Sequence, residues 1–366
     1  MTLPEHSKKT RTMRALIHTC ALALVLFAFA LPRPALANAS IFINSSVCPS
    51  SYCKAASIFG VLAGPSDALK FSNSDNIFND VGLSAGATLT TAGTVNIGDA
   101  THADVVDFSS SLTNGNSSVP CQGPSNTGTG CHVSTFTGNT KVWGGTQSNP
   151  TLVNDAYTQF TNIATYWQNQ SGNATDLTTN NPSGNWNIQS TLHSNNTYIF
   201  NAKFGFTPGS LVIGCGAQGN ATDVTGACKD DLIVIIVPTG QTASILNSIT
   251  FAPNSGLSDD QLLFLIESNS GTALSLNGSG SGNRIDIHGD FFVAGGGGYT
   301  VGNGKTTTID GRVFAGGDTT QDTLTWNAGV TLDDEGEVPE PETWALMAGG
   351  LLGIVWIHRR YHKTRA

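Results

Sequence analysis

One stretch of this chain repeats itself, and that repeat constrains the fold more than any other feature. Ile287-His288-Gly289-Asp290-Phe291-Phe292-Val293-Ala294-Gly295-Gly296 is echoed by Ile309-Asp310-Gly311-Arg312-Val313-Phe314-Ala315-Gly316-Gly317, and glycines 289 and 311 stand 22 residues apart. A period of about 20–30 residues built on one strand motif is the signature of stacked coils. Leu232–Val237 and Leu262–Ile266 extend the series upstream at roughly 26–30 residues. Coils of that length hold two or three short strands, with glycine at corners where φ is positive. Continuous apolar runs of strand length imply strands covered on both faces. The expectation is therefore a mainly β chain, a right-handed β-solenoid, with a two-sheet sandwich as the competing reading.

One segment departs from this pattern. Between Thr151 and Gln170, Val153, Ala156, Phe160, Ile163 and Trp167 recur at steps of three and four. That spacing predicts a single amphipathic helix over 151–170, started near Pro150 and stopped near Gly172. Its role is to cover one side of the coils.

Composition places the chain outside the cytosolic enzymes. Charged residues make up 12%, against the roughly 25% usual in soluble domains. Glycine numbers 42, and the acids are 20 Asp to 6 Glu, a bias toward turn formers over helix formers. The charge is also unevenly placed. Asn38–Val338 carries −15, while five basic residues precede Asn38 and four follow Trp344. An acidic body excludes nucleic-acid binding, which needs a basic face.

The two basic ends read as targeting segments. A basic stretch ending at Arg14, an apolar run Ala15–Leu31 and Ala35-Leu36-Ala37 have the order of a secretory signal peptide, residues 1–37, cut after Ala37 or Ala39. At the other end, Val338-Pro339-Glu340-Pro341 leads to Trp344, an apolar Gly-containing run to Ile357, and Arg359-Arg360. The 14 apolar residues 344–357 fall short of the roughly 20 of a stable span, and arginines stay on the cytoplasmic side. These 29 residues resemble the PEP-CTERM sorting signal of Gram-negative bacteria. The resemblance implies a membrane-anchored precursor with a C-terminal membrane helix, read by an exosortase membrane protease. It also implies delivery to the cell surface or an exopolysaccharide matrix. Val338, Pro339, Glu340, Pro341, Trp344, Arg359 and Arg360 then carry sorting. The chain divides into 1–37, an exported body 38–333, an acidic linker 334–343, the span 344–357 and a basic tail 358–366.

Phe59-Gly60-Val61-Leu62-Ala63, Asn79-Asp80-Val81-Gly82-Leu83-Ser84, the single helix and Gly311-Arg312-Val313-Phe314-Ala315 resemble the choice-of-anchor A and ice-binding-like β-solenoid families. Ice-binding faces favour regularly spaced threonines. Here Thr306-Thr307-Thr308 and Thr319-Thr320 are consecutive, so no stacked threonine ladder is expected.

Six cysteines, Cys48, Cys53, Cys121, Cys131, Cys215 and Cys228, fit an oxidising compartment and allow 15 connectivities. Near-neighbour pairs 48–53, 121–131 and 215–228 are the expected disulfides. Zinc lacks its C-x-x-C spacing.

Candidate chemistry is sparse. Gly214–Gly219 satisfies G-x-G-x-x-G, but no helical period follows it. Gly302-Asn303-Gly304-Lys305-Thr306 lacks the first glycine of a phosphate loop. Asp286, His288 and Asp290 alternate, so on one strand they share a face. Such a face would serve acid–base work in a polysaccharide-degrading enzyme, or simply meet solvent. Asp99, His102, Asp104 and Asp107 form a second cluster whose oxygens would suit calcium. No cofactor or resident metal is otherwise implied. The expectation is a non-enzymatic, exported structural or adhesive protein, with an ice- or polysaccharide-binding adhesin as the alternative. Its partners would be exosortase, the membrane before processing, and exopolysaccharide.

Overall fold

The apolar runs become strands buried along their whole length. Leu232–Val237 and Leu262–Ile266 are buried at every position. Alternation along a strand explains this. Ile233, Ile235, Val237, Phe264 and Ile266 enter a central core. Leu232, Val234, Ile236, Leu263 and Leu265 enter a second core on the opposite face. The computed structural model describes residues 54–333 apart from 73, 100–102, 110–134, 137–139, 177–185, 191–196, 203–210, 216–230, 253–254, 270, 277–283, 303–305, 318–320 and 328.

The described residues form 26 strands in three sheets of ten, nine and seven, paired in parallel, with two α-helices. From Phe59 to Ser148, and again from Leu232 onward, the chain lays strands on the ten-, seven- and nine-stranded sheets in turn; between Thr175 and Cys215 the described strands alternate between the ten- and nine-stranded sheets alone. The first circuit runs Phe59–Ala63 (ten-stranded), Ala68–Phe71 (seven-stranded) and Asp75–Phe78 (nine-stranded). The 22-residue repeat is this stacking: Ile287 pairs with Ile309, His288 with Asp310, Phe291 with Val313 and Phe292 with Phe314. Gly289 and Gly311 turn the corner between sheets at φ of 112° and 137°. A Cβ on Gly311 would lie 2.3 Å from the Gly289 carbonyl oxygen, so adjacent corners fit only as glycines.

Helix α1 (Lys54–Ile58) and helix α2 (Pro150–Asn169) lie together against the ten-stranded sheet. The sequence indicated one helix, and α1 is the difference: five residues, Lys-Ala-Ala-Ser-Ile, are too few to show a period. The Ala56 amide donates to Gln159 Oε1 at 3.0 Å. Helix α2 begins where expected, with the Asn149 side chain accepting from the Leu152 amide and Pro150 in the first turn. The buried residues of α2 are Val153, Ala156, Phe160, Ile163, Ala164 and Trp167. Phe160 meets Phe292 and Phe314 edge-on at 5.2 and 6.0 Å, and those two rings stack at 5.0 Å.

Sheet order departs from chain order. The ten-stranded sheet reads Gly145–Ser148, Val105–Phe108, Asp80–Leu83, Phe59–Ala63, Val313–Ala315, Asp290–Val293, Leu262–Ile266, Leu232–Val237, Thr197–Asn201, Thr175–Asp176. The chain builds away from Phe59–Ala63 and crosses on α2, which at about 1.5 Å per residue spans roughly 30 Å. It then builds back until its last circuit meets its first. Val61 pairs with Val313, Ala68 with Thr323 and Asn76 with Thr331. Two buried carboxylates stitch this seam. Asp67 accepts from the Asp322 amide at 3.2 Å and the Gly64 amide at 3.1 Å. Asp75 accepts from the Val330 amide at 3.1 Å and the Ser72 amide at 2.7 Å. Burial pushes Asp75 up to about 7, against the lowering effect of those amides.

Candidate functional site

The ten-stranded sheet is covered by helices, which leaves the outer faces of the other two for contact. On the seven-stranded sheet, Leu69, Leu89, Leu274, Tyr299 and Leu324 point inward and are fully buried. The alternate positions face outward. There, register stacks Ser244, Ser275, Thr300, Thr325, Lys70 and Thr90 as Cα partners on successive strands. Beside this column, Ala68 pairs with both Thr323 and Thr88, and Thr272 pairs with Gly298. The face is thus a sheet of small hydroxyls with one exposed ammonium, Lys70. Threonine stacks on threonine only at Thr300–Thr325 and Thr90–Thr135, with Lys70 between them, so the hydroxyls form a mixed column and no continuous threonine ladder among the described residues. The threonine triplet at 306–308 lies instead in a strand of the nine-stranded sheet.

The nine-stranded sheet presents a different surface. Asp286, Thr308, Thr331, Asn76 and Asn96 align in one column, with Asn96 Nδ2 donating to Asn76 Oδ1 at 2.9 Å. His288, Asp310, Asp333 and Phe78 align in the next. Charge, amide and ring replace the uniform hydroxyls of the other face.

His288 is the centre of a charge cluster. Its Nδ1 lies 2.9 Å from Asp259 Oδ1 and 3.3 Å from Asp310 Oδ2, and its ring packs on Phe251 at 5.1 Å. Burial acts to lower its pKa, but the Asp259 hydrogen bond and the charges of Asp259, Asp310 and Asp286 outweigh it, so the net shift is upward. Burial also raises Asp310, to about 6, with Asp259, Asp333 and Asp286 adding and His288 opposing.

Asp290 does not share a face with Asp286 and His288, a correction to the alternation argument. Gly289 turns the corner between them, so Asp290 opens a strand of the ten-stranded sheet and is fully buried. Its Oδ1 accepts from the Arg312 amide at 2.9 Å, and Arg312 also pairs with Asp260. Sequence reasoning missed Asp259 and Asp310. Asp310 was available, because it occupies the His288 position of the repeat; Asp259 lies in a turn with no periodic signal.

The second acidic cluster is spread along the chain's path. Asp107 is fully buried in the strand Val105–Phe108, where burial raises its pKa against the side chains of Gln147 and Asn149. Asp104 and Asp99 are partly exposed, and His102 lies outside the described residues. Among the described residues no group of His, Cys, Asp or Glu has the arrangement of a metal site. Thr306 begins a strand, so Gly302–Thr306 opens no helix. Cys215 ends the strand Leu211–Cys215. Cys48, Cys53, Cys121, Cys131, Cys228, the signal peptide and every sorting residue lie outside the described residues. Among the described residues no helix is long and apolar enough to cross a membrane.

The body is thus a stack of parallel strands with a hydroxyl-lined outer face on its seven-stranded sheet. Its tail supplies the address. Residues 337–360 match the family described as the PEP-CTERM protein-sorting motif. That motif marks the chain for export and for processing by exosortase, a membrane protein, from a membrane-anchored precursor. The solved structures it resembles include ice-binding proteins. One is from an Arctic yeast (14% identity, 79% of this chain and 96% of that one, TM-score 0.40). A second is the DUF3494 domain of a Shewanella frigidimarina ice-binding protein (11% identity, 77% and 97%, TM-score 0.36). A third is from an Antarctic biological consortium (14% identity, 76% and 90%, TM-score 0.35). No curated protein matches the chain by sequence.

Proposed function

We infer that this chain is a non-enzymatic adhesive protein of a Gram-negative cell surface or exopolysaccharide matrix. Its exported body, 38–333, is a right-handed β-solenoid, the hand that parallel crossovers adopt. Exosortase acts on the tail, through Val338, Pro339, Glu340, Pro341, Trp344, Arg359 and Arg360. The body's contact surface is the outer face of the seven-stranded sheet. The in-register hydroxyl column carries this reading. Strands about 4.8 Å apart set a hydroxyl on each strand of the column except that of Lys70, along an extended line. An extended polysaccharide repeats hydroxyls along its own axis, so it can hydrogen-bond to many members of the column at once. Lys70 in mid-column suits acidic sugars.

Retention of the mature protein on the producer's own exopolysaccharide tests this. Two lost hydrogen bonds at about 0.5–1.5 kcal/mol each amount to roughly a tenfold weaker affinity. Thr90→Leu with Thr325→Leu should therefore reduce retention about that much. Unchanged retention would remove this face from the account.

The pairs Thr88/Thr90 and Thr323/Thr325 favour a second reading, ice binding. Within each pair the hydroxyls stand about 6.6 Å apart along the strand, and the two pairs flank the Ala68–Lys70 strand about 9.6 Å from one another, a spacing that can order water between them. The mature protein would then inhibit ice recrystallisation, and Thr325→Leu would abolish that effect. No inhibition at high concentration ends the ice reading and leaves the polysaccharide reading standing.

A further inference from the structure

Lys70 interrupts a face that is otherwise uncharged. On the seven-stranded sheet the outward positions are Ser244, Ser275, Thr300, Thr325, Lys70 and Thr90 in one column, with Thr323, Ala68 and Thr88 beside it. Among the described residues, none of these is a carboxylate and Lys70 takes part in no ion pair. Asp67, which precedes its strand, is buried and accepts the Gly64 and Asp322 amides. Lys70 itself is exposed, so its ammonium faces outward with the hydroxyls.

Four threonines frame it. Thr325 and Thr90 flank Lys70 on the two neighbouring strands, and Thr323 and Thr88 flank Ala68, two residues back on the same face. Strands about 4.8 Å apart hold the flanking threonines about 9.6 Å from each other. Ala68 offers only a methyl group between Thr323 and Thr88, so the face is lowest there. The frame is a shallow seat with hydroxyls on both sides and an ammonium at one end. A uronate ring lying in it sets its carboxylate on Lys70, a charge-assisted contact, and its hydroxyls against the threonines. Charge elsewhere limits how many carboxylates the polymer can carry. The body from Asn38 to Val338 carries −15, and Asp286, Asp310 and Asp333 stand on the outer side of the nine-stranded sheet. A polymer with a carboxylate on every sugar meets one cation on this face and repulsion from the body as a whole. A polymer with one carboxylate among neutral sugars gains the Lys70 contact and lays neutral rings on the remaining hydroxyls.

We propose that this face selects a sparsely acidic polysaccharide, seating one uronate of a repeat over Ala68 with its carboxylate on Lys70 and neutral sugars along the hydroxyls to either side. The proposal rests on the polysaccharide reading of the face and adds the charge spacing of the polymer it takes. Lys70 then fixes the register of the polymer on the column, because sliding by one strand loses the charge contact while the hydroxyl contacts are replaced by their neighbours.

Binding of the mature protein to three immobilised probes tests this. They are gellan, which carries one glucuronate in each repeat, the same gellan with its carboxylates reduced to alcohols, and polygalacturonate, which carries a carboxylate on every sugar. The wild type should hold gellan about fivefold more tightly than reduced gellan, the weight of one exposed charge pair, and more tightly than polygalacturonate. Lys70→Gln, a substitution at an exposed position, should bring gellan down to the level of reduced gellan and leave reduced gellan unchanged. Thr90→Leu with Thr325→Leu should weaken both. Tightest binding to polygalacturonate, a gellan preference kept in Lys70→Gln, or no binding to any of the three overturns the proposal. If the threonine pair still weakens retention on the producer's own exopolysaccharide, the hydroxyl face survives that result. If the threonine pair changes nothing, the face itself is removed and the proposal with it.

Discussion

Asp75→Asn should reverse its own effect on stability as pH changes. Asp75 is fully buried at the seam, and burial raises its pKa from 3.8 to about 7. Between those values the folded chain holds a proton that the unfolded chain has released. Stability from this group is therefore fully present below about pH 3.8 and lost as pH rises through about 7. A shift of about three units, at roughly 1.36 kcal/mol each, makes the loss about 4 kcal/mol. Asparagine keeps one oxygen to accept the Val330 amide but sets an N–H against the Ser72 amide. That mismatch costs about 1–3 kcal/mol at every pH. The variant should be less stable than wild type at pH 4 and at least as stable at pH 8. Urea unfolding of both proteins at pH 4, 6 and 8, followed by circular dichroism, gives the difference directly. His288, Asp310, Asp107 and Glu267, whose pKa values are also raised, contribute equally to both proteins and cancel. Parallel stability profiles would refute the argument that a buried carboxylate at the seam is protonated in the fold.

Phe160→Ala removes the ring that α2 sets against Phe292 and Phe314, and should cost about 3–5 kcal/mol, read as a lower unfolding midpoint. Co-expression with a cognate exosortase should yield a mature protein whose mass lacks the C-terminal peptide, and Pro341→Ala should slow that loss. A mature mass still including Trp344–Ala366 would contradict the reading of the tail.

The repeat and the helix were legible because each rests on local periodicity. Gly289 and Gly311 mark equivalent corners, and the residues around them pair at the same 22-residue offset. The helix expected at 151–170 is Pro150–Asn169, with the five expected residues buried. The hydroxyl face was hidden because the circuits differ in length. Thr325 follows Thr300 by 25 residues, Ser275 follows Ser244 by 31 and Thr90 follows Lys70 by 20, so no constant period links partners in the column. The seam was hidden for another reason. A repeat gives the spacing of successive circuits, not the direction in which they accumulate. Its trace is faint: Val61-Leu62-Ala63 and Val313-Phe314-Ala315 are alike because they occupy adjacent rungs. Asp290 shows the limit of alternation, which holds within a strand and ends at a glycine corner.

The seam also fixes how the body bears a load. The last described strand, Val330–Asp333, lies between Thr306–Asp310 and Asp75–Phe78, in the interior of its sheet. Its Asp75-bound amide and its two ladders must yield together before it leaves. Tension applied to the chain beyond Asp333 therefore cannot peel the stack rung by rung from a free edge. It meets the middle of the molecule, held on both sides, so a pull on that end is resisted where the body is best braced.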